Sequence, residues 1–193
     1  MNGTKAVSKP KNDAPTKLVW MDLEMTGLDS ERDVIIEMAT LITDINLNLI
    51  AEGPEIVIQR PKELFDKMDS WNREHHTKSG LWAKVISSEI SESEAEQKTL
   101  DFLKQHLGPR ESPLCGNSIW QDRRFIAKYM KNLDAFLHYR LIDVSTIKML
   151  GKIWYPQDVD KTPEKQTTHR ALDDIKESIE ELKAYRQLLF KTP

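Results

Sequence analysis

Five side chains of this 193-residue sequence have types and spacing suited to hydrolytic chemistry: Asp22, Glu24, Asp122, His169 and Asp174. Two of them lie in the stretch VWMDLEMTGL, residues 19–28, two positions apart in an otherwise apolar run. Burying ionised carboxylates without partners costs far more than such a strand recovers. Residues i and i+2 of a strand share a face, so Asp22 and Glu24 project side by side. Like charges that close disfavour each other's ionised form unless a cation sits between them. Two readings stay open from this stretch alone. Either the strand end faces solvent, where adjacent acids are ordinary, or the pair ligates a hard divalent ion, magnesium or manganese.

The last helical segment adds a third acid. Its apolar positions Leu172, Ile175, Ile179, Leu182 and Leu189 recur at helical intervals. With ~100° per residue, Asp174 falls about 90° from the centre of that stripe, at the core boundary. Asp173 falls almost opposite the centre and faces solvent. His169 stands five residues before Asp174, at or just before the helix start, where an imidazole can take a proton from water near neutral pH. A loop histidine alone is ordinarily idle. Asp122, where a short strand passes into a helix, would alone be an N-terminal acid favoured by the helix dipole.

The elements that must position these groups follow from periodicity. Residues 18–25, 33–43 and 50–59 are strand-like and form an antiparallel meander, with the first buried on both faces. Ser91 and Glu94 have capping-box spacing, and Ala95, Thr99, Phe102, Leu103 and Leu107 follow at helical intervals. Residues 113–117 form a short strand before a helix carrying Phe125, Ile126, Tyr129 and Met130. LIDV at 141–144 is a further strand, with Ser145 placed to cap the next helix. A polar loop, 156–168, precedes the long final helix. The expectation is one α/β domain over 17–193, a mixed five-stranded sheet flanked by helices. Residues 1–16, rich in lysine, read as a disordered tail rather than a secretory signal or transit peptide.

Composition limits the partners. A net charge of −3, from 28 basic and 31 acidic residues, argues against tight binding along a long duplex, which needs many cationic phosphate contacts. It leaves room for a short nucleic acid. No apolar run approaches the ~20 residues of a membrane span. The single cysteine, Cys115, excludes an intramolecular disulfide and a cysteine-based metal cluster and fits a cytoplasmic protein. The adjacent His75 and His76 do not make a zinc site, because they point ~100° apart on a helix and no further ligand lies at the right spacing.

The order of the acids and histidine carries a resemblance. Asp-x-Glu on the first strand, then Asp122, then His169-x-Ala171-x-x-Asp174 resembles the DEDDh family of 3′-to-5′ exonucleases, which have a ribonuclease-H-like fold. The segments MDLEMTGLD, WNREHHTKSGL, GNSIWQDRRF, HYRLIDVSTIK and HRALDDIKESIEEL are similar to the oligoribonucleases of that family, across roughly residues 17–190. Trp120 departs from the small residue usual there. The resemblance implies two divalent ions, Mg2+ or Mn2+, held by Asp22, Glu24, Asp122 and Asp174, with His169 as general base. It implies a substrate of short single-stranded RNA, dinucleotides included, cut to nucleoside 5′-monophosphates. Leu28 and Trp71 match the family's base-stacking pair; Ser118, Arg140 and Ser145 match positions that cap a 5′ phosphate. It also implies a homodimer in which His138 and Tyr139 reach the partner's site. Asp143 reads as structural or as a support to the site.

The bland readings are core packing for Trp71, a helix cap for Ser145 and a surface cation for Arg140. The rival functions are a DEDDh nuclease acting on long strands and a silent nucleic-acid-binding module on the same fold.

Overall fold

Alternation along the first strand sets the architecture. In the computed structural model, which describes residues 15–159 and 170–191, β1 (Lys17–Met25) is the central strand. Its odd positions Val19, Met21 and Leu23 enter one apolar core and its even positions Leu18 and Trp20 enter another. The even face continues as Asp22 and Glu24. β2 (Ile35–Asp44) and β3 (Leu49–Val57) complete the antiparallel meander.

After a 3-10 turn at Lys62–Lys67 come α1 (Ser70–Lys78), α2 (Leu81–Ser87) and α3 (Glu92–His106). Ser91 and Glu94 close the expected capping box at the start of α3. β4 (Leu114–Gly116), α4 (Ile119–Tyr129), α5 (Lys131–Phe136) and β5 (Leu141–Asp143) follow, then α6 (Val144–Trp154), α7 (Pro156–Val159) and α8 (Ala171–Leu189). The sheet order is β3-β2-β1-β4-β5, with β4 parallel to β1 and to β5. This is the expected mixed five-stranded sheet. β1 therefore has an antiparallel neighbour on one side and a parallel one on the other, and its carboxyl end opens where chain direction switches.

Helices α3, α4 and α5 cover one face through Leu103, Phe125, Ile126 and Leu133. Helix α8 covers the other through Ala171, Ile175, Ile179, Leu182 and Tyr185. Leu172, expected in the buried stripe, is only half-buried, whereas Ser178 and Glu181 are buried. Gly116 is required at the β4–α4 junction, because a Cβ there would lie 2.9 Å from both the Met21 carbonyl oxygen and the Ile119 side chain.

Two local expectations change. Asp143, not Ser145, caps α6: its carboxylate accepts from the Ser145 N–H at 2.9 Å. The start of the expected 156–168 loop is helical, as α7, and the rest of it lies outside the described residues. So does most of the expected tail, residues 1–14.

Candidate active site

The even face of β1 meets the first turns of α8. Asp22, Glu24 and Asp174 each offer a carboxylate oxygen, and these oxygens all lie within 4.8 Å of one another. Each of the three residues is half-buried, while Asp173 beside them is exposed, as the helical phase required. Asp122 approaches from α4. It is only 5% exposed, and its Oδ1 accepts the backbone N–H of Leu23, the residue between the two β1 acids, at 2.9 Å.

Two of the four acids are pushed toward their neutral form. The Glu24 carboxyl is pushed up to about 8, chiefly by burial and then by Asp174, Glu37 and Asp122, with Arg170 opposing. Asp122 is pushed up to about 7, again first by burial; the backbone N–H groups of Asp122 and Leu23 oppose this and Asp143 adds to it. Carboxyls so placed favour their ionised form when a cation is present. A hard divalent ion fits this all-oxygen donor set. His169 lies outside the described residues.

Sequence reasoning did not single out two residues that hold this geometry. Glu37 on β2 pairs in register with Glu24 and is fully buried. Its carboxylate receives Arg170 Nη2 at 2.7 Å, Arg170 Nε at 3.1 Å and the Ala171 N–H at 3.2 Å. Arg170 also pairs with Glu55. The start of α8, one turn before Asp174, is thereby tied to the strand beside Glu24. The one available signal was an acid within the apolar run IIEMATLIT.

The other expected residues surround this centre. Leu28 is 68% exposed and Trp71 55% exposed. The Leu28 loop is braced by Asp33, whose carboxylate accepts from the Asp29 N–H and from Thr26 Oγ1; a Cβ on Gly27 would lie 2.5 Å from that carboxylate. Gln121 donates to the Leu28 carbonyl. A cavity of about 950 Å3 opens beside Leu28, with Arg32, Lys67 and Arg124 in its wall. Trp71 stacks on His75 at 3.8 Å. His76 is buried, and its Nε2 donates to the Met25 carbonyl at 2.9 Å, tying α1 to the end of β1. Among the described residues, the acidic trio is the only cluster with metal-ligand spacing.

Ser118 and Ser145 come together. The Ser118 N–H and Oγ reach Ser145 Oγ at 3.1 and 3.2 Å, and Ser118 adopts a left-handed backbone with φ 49°. Arg140 lies over the exposed Tyr139 ring at 5.4 Å, and Tyr139 stacks on His138. Trp120 is 51% exposed beneath the Arg124 guanidinium and so stands at the surface.

Known proteins resemble this chain in sequence and in fold. Residues 19–182 match the RNase_T exonuclease family. The chain is 57% identical to the oligoribonuclease of Marinobacter nauticus over 91% of its own length and 97% of that protein. It is 53% identical to the mitochondrial oligoribonuclease of Homo sapiens over 91% of its length and 74% of that protein. In fold, exonuclease I of Methylocaldum szegediense aligns with a TM-score of 0.64 at 17% identity. That alignment takes in 90% of this chain but only 41% of the other. A product-bound exonuclease I aligns with a TM-score of 0.65 at 13% identity. The fold is ribonuclease-H-like, and the chain belongs to the RNase_T exonuclease family and, within it, to the oligoribonucleases.

Proposed function

We propose that this chain is a 3′-to-5′ exoribonuclease that hydrolyses short single-stranded oligoribonucleotides, dinucleotides included, to nucleoside 5′-monophosphates. The observation that carries the proposal is the convergence of Asp22, Glu24 and Asp174 within 4.8 Å at the end of β1. These three residues would hold two divalent ions, Mg2+ or Mn2+, with Asp122 in support. Ions bound there would stabilise charge on the attacking and leaving oxygens of the phosphodiester displacement. His169, from the HRALDD motif, takes the proton of the attacking water. Glu37 and Arg170 keep α8 in register with β1 so that Asp174 meets Glu24.

Substrate selection falls to the ends of a short strand. Leu28 and Trp71 flank the terminal base by stacking, which tolerates any base because every base has a π-face. Ser118, Arg140 and Ser145 receive a 5′ phosphate, the guanidinium by paired charged hydrogen bonds. The functional unit is a homodimer in which His138 and Tyr139 complete the partner's site. Support for that reading comes from an exposed apolar stripe on α6 and just past it: Met149, Leu150, Ile153, Trp154 and Tyr155. Its compartment is the cytoplasm. In support, Cys115 is a free, buried thiol.

The test compares initial rates on 5′-labelled RNAs from the dinucleotide upward, with purified protein and Mg2+. The proposal expects the shortest substrates to be cut fastest. Faster cleavage of the longest strands would leave the nuclease assignment standing and remove the preference for short RNA. No metal-dependent cleavage of any length would favour the silent binding module.

A further inference from the structure

A one-directional chain of side-chain hydrogen bonds leads from Ser118 and Ser145 to the backbone of Asp174. Ser118 Oγ donates to Ser145 Oγ. Ser145 Oγ donates to Asn117 Oδ1 at 2.9 Å. Asn117 Nδ2 donates to Ser178 Oγ at 2.7 Å, and Ser178 Oγ donates to the Asp174 carbonyl at 2.7 Å. The direction is forced by proton counting. Each hydroxyl carries one proton, and a carbonyl can only accept. Glu181 fixes the amide: its Oε2 accepts from Asn117 Nδ2 at 3.0 Å, so the NH2 group must face α8 and Oδ1 must face Ser145. Glu181 is itself held by the Tyr185 hydroxyl at 2.7 Å and by Lys148 at 3.1 Å. Ser178 and Glu181 are nearly buried, so water competes little for these bonds.

We propose that Asn117 and Ser178 are positioning residues that couple occupancy of the 5′-phosphate subsite to the placement of Asp174. This rests on the assignment of Ser118 and Ser145 to that subsite and deepens it. A phosphate is an acceptor with no proton to give. When it takes the Ser145 hydroxyl proton, Asn117 Oδ1 loses its donor and the rest of the chain readjusts toward Ser178. Ser178 bonds back onto the residue one turn earlier, a contact that bends a helix locally. The turn that adjusts is the one carrying Asp174. A dinucleotide brings its 5′ phosphate and its scissile bond to one site together. A long strand holds its 5′ end elsewhere. Preference for short RNA then appears in kcat as well as in binding.

The experiment compares 5′-phosphorylated and 5′-hydroxyl dinucleotides on the full chain and on Ser178→Ala and Ser178→Thr, each checked for unchanged thermal unfolding. Removing the buried hydroxyl is a small change on a helix, and threonine returns it. In the unaltered chain the 5′ phosphate is expected to raise kcat about tenfold, within the ordinary range of site-to-site couplings. Ser178→Ala is expected to bring that ratio close to unity by lowering kcat on the phosphorylated substrate, with KM little changed. Ser178→Thr is expected to restore it. A second readout needs no turnover: Mn2+ affinity, measured by calorimetry, should tighten more on adding a non-hydrolysable dinucleotide that carries a 5′ phosphate than on adding its 5′-hydroxyl counterpart, and that difference should vanish in Ser178→Ala. An unchanged ratio in Ser178→Ala, or an equal loss on both substrates, overturns the coupling and leaves the phosphate subsite intact. A kcat ratio near unity in the unaltered chain overturns the coupling, and the subsite assignment falls with it only if KM is also the same for the two substrates.

Discussion

Glu37 and Arg170 form a two-pronged ion pair between residues 133 positions apart in sequence, joining β2 to the start of α8. The Glu37 side chain is fully buried and that of Arg170 is 19% exposed. Truncating one partner of a buried pair costs ~3–5 kcal/mol because the other charge is left unpaired. The edge exposure of Arg170 and its second partner Glu55 place Glu37→Ala at the lower end, about 3 kcal/mol. Denaturant unfolding should show this loss, and metal-dependent turnover should fall further than stability alone explains, because Asp174 loses its register with Glu24. Normal turnover in a folded Glu37→Ala protein would remove the positioning role.

The raised carboxyls predict how stability responds to pH without metal. Glu24 ionises near 4.5 when unfolded and near 8 when folded; for Asp122 the two values are 3.8 and about 7. Between each pair of values the folded chain holds a proton that the unfolded chain has lost. Stability therefore falls as pH rises through that window. Metal-free protein should melt at lower temperature near pH 8 than near pH 5. Added Mg2+ should recover more stability at the higher pH, and its binding should release protons. Calorimetry in two buffers of different ionisation enthalpy counts those protons, and an uptake rather than a release would contradict the proposed ligands.

Asp173 and Asp174 are adjacent acids with opposite expected fates. Asp174→Asn should lower kcat by about 10²–10³-fold, the scale seen when one preorganised charge-stabilising group is removed. Asp173→Asn should stay within about twofold, because its exposed side chain lies outside the trio and single surface changes are usually small. Steady-state kinetics on one dinucleotide decides it, and equal losses in the two variants would sink the helical-phase assignment.

The acidic trio was legible because it follows from two periods. Alternation put Asp22 and Glu24 on one face of β1, and ~100° per residue put Asp174 at the edge of the α8 stripe. Glu37 was not legible in the same way. An acid in an apolar strand signals a partner, but nothing local says that the partner is an arginine across the domain. The start of α6 shows the other limit. Asp143 and Ser145 both have side chains that can cap, and the choice between them depends on where pairing with β4 ends, at Gly116 opposite Asp143. Asn117 gives no signal in the sequence because an amide carries no charge pattern; its role appears only when α8 packs against β4.

Trp71 offers the most direct test of substrate contact. Its ring is more than half exposed, yet it is held in place: it stacks on His75, and α1 is tied to β1 through the bond from His76 to Met25. An exposed, oriented indole fits a base platform better than core packing. Base stacking contributes ~1–3 kcal/mol per base. Trp71→Ala should therefore raise KM for a dinucleotide about tenfold or more with little change in kcat, while Trp71→Phe keeps most of the affinity. Because the ring contributes little to the core, the unfolding temperature should barely move. A large drop in unfolding temperature with unchanged KM would instead mean that the indole supports the fold and that the terminal base rests elsewhere.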